Sequence, residues 1–455
     1  MCSRQRQKED EEKSFCDLLI RSFSFGISIV PLSTHNLPCN DCLNRPDSAS
    51  PMMLQTAATA KRAISIVLAV FVTLIIVFLH SRRDRLIVLA PLPLPAVRPA
   101  MGRSGQQRSL LDDIGNSTLG FEKVFVVGLP SRTDRRDGIT LAAALGNLQI
   151  EFKEGVVASE VAGRAIPKNK EMKYLQGAVL GSWRGHMNAM QEVVRRNLES
   201  VLILEDDVDW DIRLKDQLRD FARASNALLQ PLRDSPHHYA DPTYPRPSSD
   251  SSPPPQDIPF EDLPATLLPT TSPYGDDWDV LWIGHCGMHF PFDGNDIPKG
   301  RVIHRRDVTV APKKSLWVFN SPFTLKDKYP DHTRAVHHVQ EGVCTLGYAV
   351  SQSGARKILF EIAQKPPTDA FDILLRFFCE GTEGRAMHNC LTLTPGLFHH
   401  YRPAGPVKEL SDIGDHGDAF RERPDSDIVR WSVRLNTREL LDGGTGFVDQ
   451  FPDEE

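Results

Sequence analysis

The chain has 455 residues and a formal net charge of −6 at pH 7. Its hydrophobic fraction of 40% and charged fraction of 25% are those of a globular protein. At this length the chain holds one large domain with appended segments, or two domains. The acidic balance argues against a nucleic-acid-binding protein. An anionic ligand would therefore need a metal ion or local arginines to approach an acidic site.

The N-terminal part of the chain divides into a polar segment and an apolar one. Residues 1–60 show no sustained hydrophobic period, and we predict a disordered tail. Residues 63–79 contain no charge and have basic residues on both sides. We predict a single-pass transmembrane anchor over residues 61–82, with a buried core helix as the alternative.

A proline-rich stem, residues 83–118, is predicted to separate the anchor from a folded domain. Basic residues lie on both sides of the anchor, so the charge distribution does not favour an N-terminus in the cytoplasm. Asn116-Ser117-Thr118 is a glycosylation sequon and is consistent with a lumenal C-terminal side.

The first strand–helix unit is predicted to carry a basic loop. Lys123–Leu129 reads as a buried strand, and residues 130–136 form an arginine-rich loop that leads into a helix. Guanidinium groups and helix N-termini both favour phosphate, so the loop is a candidate nucleotide cradle. A solvated arginine turn is the alternative. His186 falls on the apolar face of a second helix, Trp183–Asn197, where it is either a core histidine or a ligand.

A short apolar strand, Val201–Leu204, runs directly into an acidic cluster, which comprises Glu205, Asp206, Asp207 and Asp209. Neighbouring carboxylates repel one another, and a hard divalent cation such as Mg²⁺ or Mn²⁺ is the simplest compensation. Such a cation at the carboxyl end of a strand would bridge to an anionic ligand, such as a diphosphate. The alternatives are a solvated acidic turn and a calcium-stabilised loop.

Further strands and helices follow a proline- and serine-rich stretch, 235–275, that we predict to be a flexible surface insertion. The alternation of strands and helices predicts one α/β domain over 119–408, followed by a polar C-terminal extension, 409–455. The last four cysteines form two disulfides in an oxidising compartment, in any of three pairings, or stay as free thiols. They are Cys286, Cys344, Cys379 and Cys390.

Taken in order, these segments resemble glycosyltransferase family 25, which includes bacterial lipooligosaccharide galactosyltransferases and animal procollagen galactosyltransferases. The hallmark Leu-Glu-Asp-Asp-Val stands intact at Leu204–Val208, and Arg132-Thr133-Asp134-Arg135 matches the family's first loop. Gly185 stands where the family usually has serine, which puts a hydroxyl role at this position in doubt. Further matches are Gly177, Gly181, His186, Trp278–Gly284, Gly347–Ser351, Gly354-Ala355 and Pro367–Asp369.

The resemblance implies a single A-type glycosyltransferase domain with a mixed, mostly parallel central sheet, preceded by the transmembrane helix. It also implies a UDP-sugar donor, Mn²⁺ (or Mg²⁺) as cofactor, and inversion at the sugar carbon. The sugar would be a hexose, galactose by analogy, and the acceptor a glycan or protein hydroxyl. An anchor and stem before such a domain are typical of enzymes in the lumen of the Golgi or endoplasmic reticulum.

The resemblance also suggests a role for each candidate site residue. The metal ligands would be Glu205, Asp207, Asp209 and His399, with His400 as the alternative histidine. The nucleotide-sugar would be held by Leu129, Arg132, Asp134, Arg135, His186 and Asp206. Asp369 is the first candidate for the catalytic base, and Asp372 the second.

A different class of protein is also compatible with the sequence, namely a catalytically inactive, membrane-anchored binding or adhesion protein that keeps the glycosyltransferase fold. Gly185 and the long insertion leave this alternative open.

Overall fold

The structure is a computed structural model that describes residues 109–170, 175–247, 257–319, 321, 323–414 and 417–454. These residues belong to one unit, Arg103–Glu455. The predicted tail and anchor, and residues 83–108 of the predicted stem, lie outside the described residues. Among the helices of the described residues, none is long and apolar enough to cross a membrane.

The centre of the described part of the chain is a mixed sheet of nine strands, in the order β2-β1-β3-β9-β6-β10-β8-β7-β5. All of its strands run in one direction except β8 and β9, which pair antiparallel with each of their neighbours. The prediction of a mixed, mostly parallel sheet is therefore confirmed. The strands are β1 (Lys123–Gly128), β2 (Ile150–Glu154), β3 (Ser200–Glu205), β5 (Ile258–Pro259), β6 (Val280–Gly284), β7 (Arg301–His304), β8 (Arg334–His338), β9 (Gly347–Ser351) and β10 (Cys390–Thr394).

Alternate residues of the central strands pack into two separate cores, one on each face of the sheet. On β1, Val124 and Val126 enter one core, whereas Phe125 and Val127 enter the other. This follows from the two-residue period of a strand, and apolar residues on both faces show that the strand is covered on both sides. The result is a layer of helices on each face of the sheet.

The helices of the described residues supply the outer layers. They are α1 (Thr133–Leu145), α2 (Gly177–Arg195), α3 (Leu214–Leu229), α4 (Thr324–Lys328), α5 (Gln352–Ile358), α6 (Phe371–Glu380) and α7 (Thr437–Leu441). Helices α1 and α3 pack in the core that contains Val124, and α2, α5 and α6 pack in the core that contains Phe125.

A second, small sheet follows the carboxyl end of β3. It has the order β14-β11-β4 and is formed by β4 (Val208–Trp210), β11 (Phe398–Arg402) and β14 (Asp425–Ser426). Between β11 and β14, strands β12 (Gly405–Pro406) and β13 (Phe420–Arg421) form a separate pair. Residues after position 408, which the sequence separates from the domain, therefore pair with β11. Further along, the Ile212 N–H donates to the Trp431 carbonyl at 2.9 Å, and the Val433 N–H donates to the Trp210 carbonyl at 3.0 Å.

The described parts of the predicted flexible insertion, 235–247 and 257–275, contribute to the domain. Tyr274 is fully buried, and its hydroxyl donates to the Leu119 carbonyl at 2.6 Å. The carboxylate of Asp241, also fully buried, accepts the Gly300 N–H at 2.7 Å. The buried ring of Tyr274 and the hydrogen-bonded carboxylate of Asp241 anchor these stretches to the domain, despite their proline-rich composition.

Glycine at position 354 is required by the way in which α5 packs on the sheet. The Ser351 hydroxyl caps α5 by accepting the Gly354 N–H at 3.0 Å. A side chain at Gly354 would collide with the carbonyl oxygen of Asp279, just before β6. The glycine thus permits a close approach between a helix and a strand backbone.

We predict that Gly354→Ala lowers the free energy of unfolding by about 1–3 kcal/mol, because the added methyl group forces α5 away from the sheet. Denaturant unfolding measures the change. Gly163→Ala is the control, since a Cβ at Gly163 meets no atom within 4 Å, and its effect should stay within about 0.5 kcal/mol. Equal stability of the two variants would contradict the proposed packing constraint.

Candidate active site

Three potential metal ligands converge at the carboxyl end of β3. Glu205, Asp207 and His400 each offer one ligand atom, and these atoms lie within 4.8 Å of one another. Glu205 ends β3, while His400 is brought in by β11, which pairs antiparallel with β4. The Tyr401 N–H donates to the Asp207 carbonyl at 2.8 Å and continues the pairing beyond β4.

The two carboxylates of this cluster have opposite pKa shifts. Burial, together with the charge of Asp207, raises the pKa of Glu205, whose Oε1 accepts the Thr345 hydroxyl at 2.8 Å. Burial also opposes ionisation of Asp207, but the charges of Arg135, Arg402 and Arg434 contribute to lowering its pKa, and the net shift is downward. The site therefore stabilises negative charge on Asp207 and disfavours it on Glu205.

The donor set of the cluster fits a divalent cation. Asp207 Oδ1 is buried and has no hydrogen-bond partner among the described residues. A buried carboxylate oxygen without a partner is costly, and a cation beside it would remove that cost. Two carboxylates and one imidazole are ligands that Mn²⁺ accepts, and an ion between Glu205 and Asp207 would also relieve their repulsion.

Asp206 pairs with Arg135, which lies in the first turn of α1 and not in the loop predicted for residues 130–136. Its carboxylate accepts Arg135 Nη1 at 2.9 Å, and the same nitrogen lies 3.2 Å from Asp207 Oδ2. Burial and the charge of Asp207 outweigh Arg135 and raise the pKa of Asp206 to about 6. Gly128 is the residue that leaves room for this carboxylate, because any Cβ there would overlap it. Asp206 therefore holds Arg135 beside the cluster.

The remaining residues of the first loop are engaged with one another and with the C-terminal segment. Arg132 makes a two-point contact with Asp134, at 3.0 and 2.8 Å, and its Nη1 donates to Asp412 at 2.7 Å. The Leu129 carbonyl accepts the Arg132 N–H at 3.1 Å and closes the turn. The loop is thus held by ion pairs, with Asp134 largely exposed on its outer side.

Two further arginines, which the sequence analysis does not identify, lie near the cluster. Arg402 follows His400 on β11, and its charge contributes to the lowered pKa of Asp207. Arg434, from the C-terminal segment, donates to the Asp206 carbonyl at 3.1 Å, and its Nε is buried without a partner among the described residues. With Arg135, they give the acidic cluster a positive surround suited to an anionic ligand.

His186 is fixed in the core behind Glu205. Its Nδ1 lies 2.8 Å from the Tyr348 hydroxyl, its ring stacks on Phe371 at 4.3 Å, and its Nε2 lies 3.9 Å from Glu205 Oε1. Burial lowers the pKa of His186 to about 3, so the ring is neutral at pH 7. His186 is thus a neutral core ring that is hydrogen-bonded to Tyr348 and packed against aromatic residues.

Asp209 and His399, both proposed as metal ligands, lie apart from the cluster. They are cross-strand partners in the β4–β11 pair, and both are buried. Asp209 accepts the Ser432 hydroxyl and the Trp210 N–H, whereas His399 Nε2 lies 3.0 Å from the Gly396 carbonyl. Because these polar atoms already interact with other groups of the fold, we leave Asp209 and His399 out of the candidate metal site. The site then consists of Glu205, Asp207 and His400.

The two candidate bases occupy different surroundings. Asp372 is the second residue of α6, and its Oδ2 accepts the Cys344 N–H at 2.9 Å. The residue after Cys344 is Thr345, which contacts Glu205. Phe371, the neighbour of Asp372, stacks on His186. Asp369 lies before α6 and interacts electrostatically with Arg385. The structure therefore connects Asp372 to the acidic cluster through a short chain of contacts.

Burial of neutral histidines makes the fold sensitive to acid. Burial lowers the pKa of His186, His337 and His399 to about 3, and that of His285 to about 4. In the unfolded chain their pKa is about 6.5, so below that pH the unfolded state binds protons that the folded state excludes. The stability from these rings is complete above about pH 6.5 and is lost as the pH falls towards 4.

We predict that the free energy of unfolding falls steeply between pH 7 and pH 5, by up to about 1.4 kcal/mol per pH unit for each excluded proton. Denaturant titrations at three pH values measure this slope. His186→Gln should reduce the slope, and His237→Gln, at an exposed position, should leave it unchanged. A slope in His186→Gln that equals that of the wild type would contradict a buried, neutral ring at His186.

An acidic cluster at the carboxyl end of a strand in an α/β sheet, with arginines around it, is typical of a ligand-binding site in this class of fold. Residues 121–246 match the model of "Glycosyltransferase family 25 (LPS biosynthesis protein)". The resemblance noted in the sequence is therefore confirmed over this segment, which contains the first loop and the Leu-Glu-Asp-Asp-Val motif.

Animal procollagen galactosyltransferases are among the proteins that the chain is similar to. The chain is 30% identical over 114 residues to procollagen galactosyltransferase 1-B of Xenopus laevis. It is 29% identical over 116 residues to procollagen galactosyltransferase 2 of Mus musculus, and 28% identical over 117 residues to that of Homo sapiens. Each match spans 22% of this chain and only 18% of the relative's length.

Proposed function

We propose that the chain is a metal-dependent glycosyltransferase that moves a hexose from a UDP-sugar to a hydroxyl group of a glycan or protein. The observation that carries the proposal is the cluster of Glu205, Asp207 and His400, with an unpartnered buried oxygen on Asp207. Two of these residues belong to a motif within the segment that matches family 25. Galactose is the proposed sugar because the relatives are named galactosyltransferases.

In this proposal Glu205, Asp207 and His400 hold Mn²⁺ (or Mg²⁺) in a domain of the A type. When bound, the ion supplies positive charge against the charge that develops on the departing nucleoside diphosphate. Arg135, fixed by Asp206, adds a second positive charge beside the same site. Arg402 and Arg434 extend this positive surround, so the chain's own residues favour and orient a diphosphate.

Transfer with inversion needs a base that takes the proton of the acceptor hydroxyl. We propose Asp372 for this role ahead of Asp369, in contrast to the order given by the sequence resemblance. Asp372 accepts the N–H of Cys344, and the next residue, Thr345, donates its hydroxyl to Glu205. A carboxylate that accepts two backbone N–H groups, from Cys344 and Ile373, is held in a fixed orientation and has further lone pairs for the acceptor hydroxyl.

An inactive binding protein is the second candidate, and Gly185 was one observation that favoured it. In the structure Gly185 is buried in α2, where an added Cβ would lie 3.4 Å from Val127 and 3.6 Å from Gly155. The glycine thus fills a packing position between α2 and β1. Glycine in place of the family's serine does not alter the acidic cluster of Glu205, Asp207 and His400. The intact cluster supports the enzyme over the binding protein.

We predict that the full-length chain hydrolyses or transfers the sugar of UDP-galactose in the presence of Mn²⁺. Asp207→Asn and His400→Ala should each reduce the rate about 100-fold or more, because loss of the ion removes several kcal/mol of transition-state stabilisation. A panel of UDP-sugars identifies the donor. Asp216→Asn is the control, since this carboxylate is 72% exposed and pairs with Arg219 on the surface of α3.

Chelation of the metal should abolish turnover in the wild type, and added Mn²⁺ should restore it. A folded wild type that shows no metal-dependent turnover with any donor would contradict the enzyme and leave the binding protein. Turnover that persists in Asp207→Asn and His400→Ala would instead show that the metal site has been placed wrongly.

We also propose that the domain lies in the lumen of the secretory pathway, held by the predicted anchor at residues 61–82. Two disulfides, Cys286–Cys344 and Cys379–Cys390, fix one of the three pairings open to the sequence. Disulfides form and persist in oxidising compartments such as the endoplasmic reticulum. Asn116 is exposed, and its side-chain oxygen accepts N–H groups from Thr118 and Gly120, at 2.7 and 3.2 Å.

We predict that the full-length chain made in eukaryotic cells carries an N-linked glycan at Asn116, the one Asn-x-Ser/Thr sequence in the chain. Enzymatic removal of N-glycans should increase its gel mobility. Thr118→Ala should abolish the shift, and Thr118→Ser, which preserves the sequon, should retain it. A chain without any glycan would contradict the lumenal orientation.

A further inference from the structure

Asp427 lies directly behind His400, on the C-terminal segment that follows β14. Its Oδ2 is 3.4 Å from His400 Nδ1, at the outer limit of a hydrogen bond, and both side chains are largely buried. The backbone fixes the pair, because the Asp427 N–H donates to the His400 carbonyl at 3.0 Å. β14 pairs with β11 immediately beyond His400, through Tyr401 and Ser426.

The contact determines which nitrogen of His400 is available to an ion. A neutral imidazole has one N–H and one nitrogen with a free lone pair. When the Asp427 carboxylate accepts a hydrogen bond from Nδ1–H, the lone pair is on Nε2. A histidine that binds a metal through one nitrogen commonly donates the other N–H to a carboxylate, which fixes the ring and makes the ligand more basic.

We propose that Asp427 is a positioning residue, which holds the His400 imidazole in the tautomer that presents Nε2 to the divalent cation. This inference rests on the proposed function, because it assumes the metal site formed by Glu205, Asp207 and His400. It gives the C-terminal segment a role in metal binding, although this segment lies outside the residues that match family 25.

A purely structural role is the competing explanation. Asp427 Oδ2 also lies 3.9 Å from Arg402 Nε, so its carboxylate balances the charge of β11 as well. A carboxylate that only braces Arg402 would affect stability and leave the intrinsic affinity for a metal unchanged. The two roles therefore differ in metal affinity measured on folded protein.

The test is a calorimetric titration of the metal-free full-length chain with Mn²⁺, for the wild type and three variants. Asp427→Ala removes the acceptor, and Asp427→Asn keeps a neutral one. Asp425→Asn is the matched control, since Asp425 is two residues away and pairs with Arg421. Circular dichroism and thermal unfolding establish that each variant is folded at the temperature of the titration.

We expect Asp427→Ala to weaken Mn²⁺ binding about 10–100-fold, Asp427→Asn to weaken it less, and Asp425→Asn to match the wild type. This graded order is the result that a structural brace does not produce. Wild-type affinity in folded Asp427→Ala, or an equal loss in Asp425→Asn, would overturn the inference while the metal site stands. A wild type that binds no Mn²⁺ would overturn the proposed metal site and this inference with it.

Discussion

The structure around the candidate site depends on how three successive carboxylates at the end of a buried strand are compensated. Asp206 is paired with Arg135, and Asp207 is stabilised by positive groups from three separate parts of the chain. Glu205 accepts the Thr345 hydroxyl, and burial together with the charge of Asp207 raises its pKa. Each carboxylate thus has a different partner, and these partners come from the start of α1, the residues before β9, and β11.

The C-terminal segment is the part of the chain that closes the candidate site. Its strand β14 pairs with β11, which carries His400, and its Arg434 and Ser432 contact the motif between Asp206 and Asp209. These residues bury Asp209 and give it hydrogen bonds, although burial still raises its pKa. A polar segment that looks like an extension in the sequence therefore completes a polar core around the acidic motif.

The sequence predicts local features of this site well and long-range ones poorly. The apolar run before Glu205 and the repulsion of its carboxylates are local, so the strand and its charged end are visible in the sequence. The choice of His400 over His399 depends on the register between β4 and β11, which lie far apart in the chain. Because side chains alternate along a strand, one residue of register decides whether a histidine reaches the cluster. Arg434 and Asp427 depend in the same way on where the last fifty residues pack.

The opposite side of the cluster is held by covalent and backbone constraints. Cys344 has a positive φ of 63°, a conformation that costs a non-glycine residue roughly 1–2 kcal/mol. The disulfide to Cys286 and the hydrogen bond from its N–H to Asp372 together maintain it. Such strain persists only where the surroundings impose it, and it is concentrated at functional sites. The next residue, Thr345, donates its hydroxyl to Glu205. The same short loop therefore contacts Asp372 through Cys344 and Glu205 through Thr345. In the proposed mechanism the base Asp372 and the metal ligand Glu205 both contact this constrained loop. Their separation would then stay constant, which transfer of a sugar between two substrates requires.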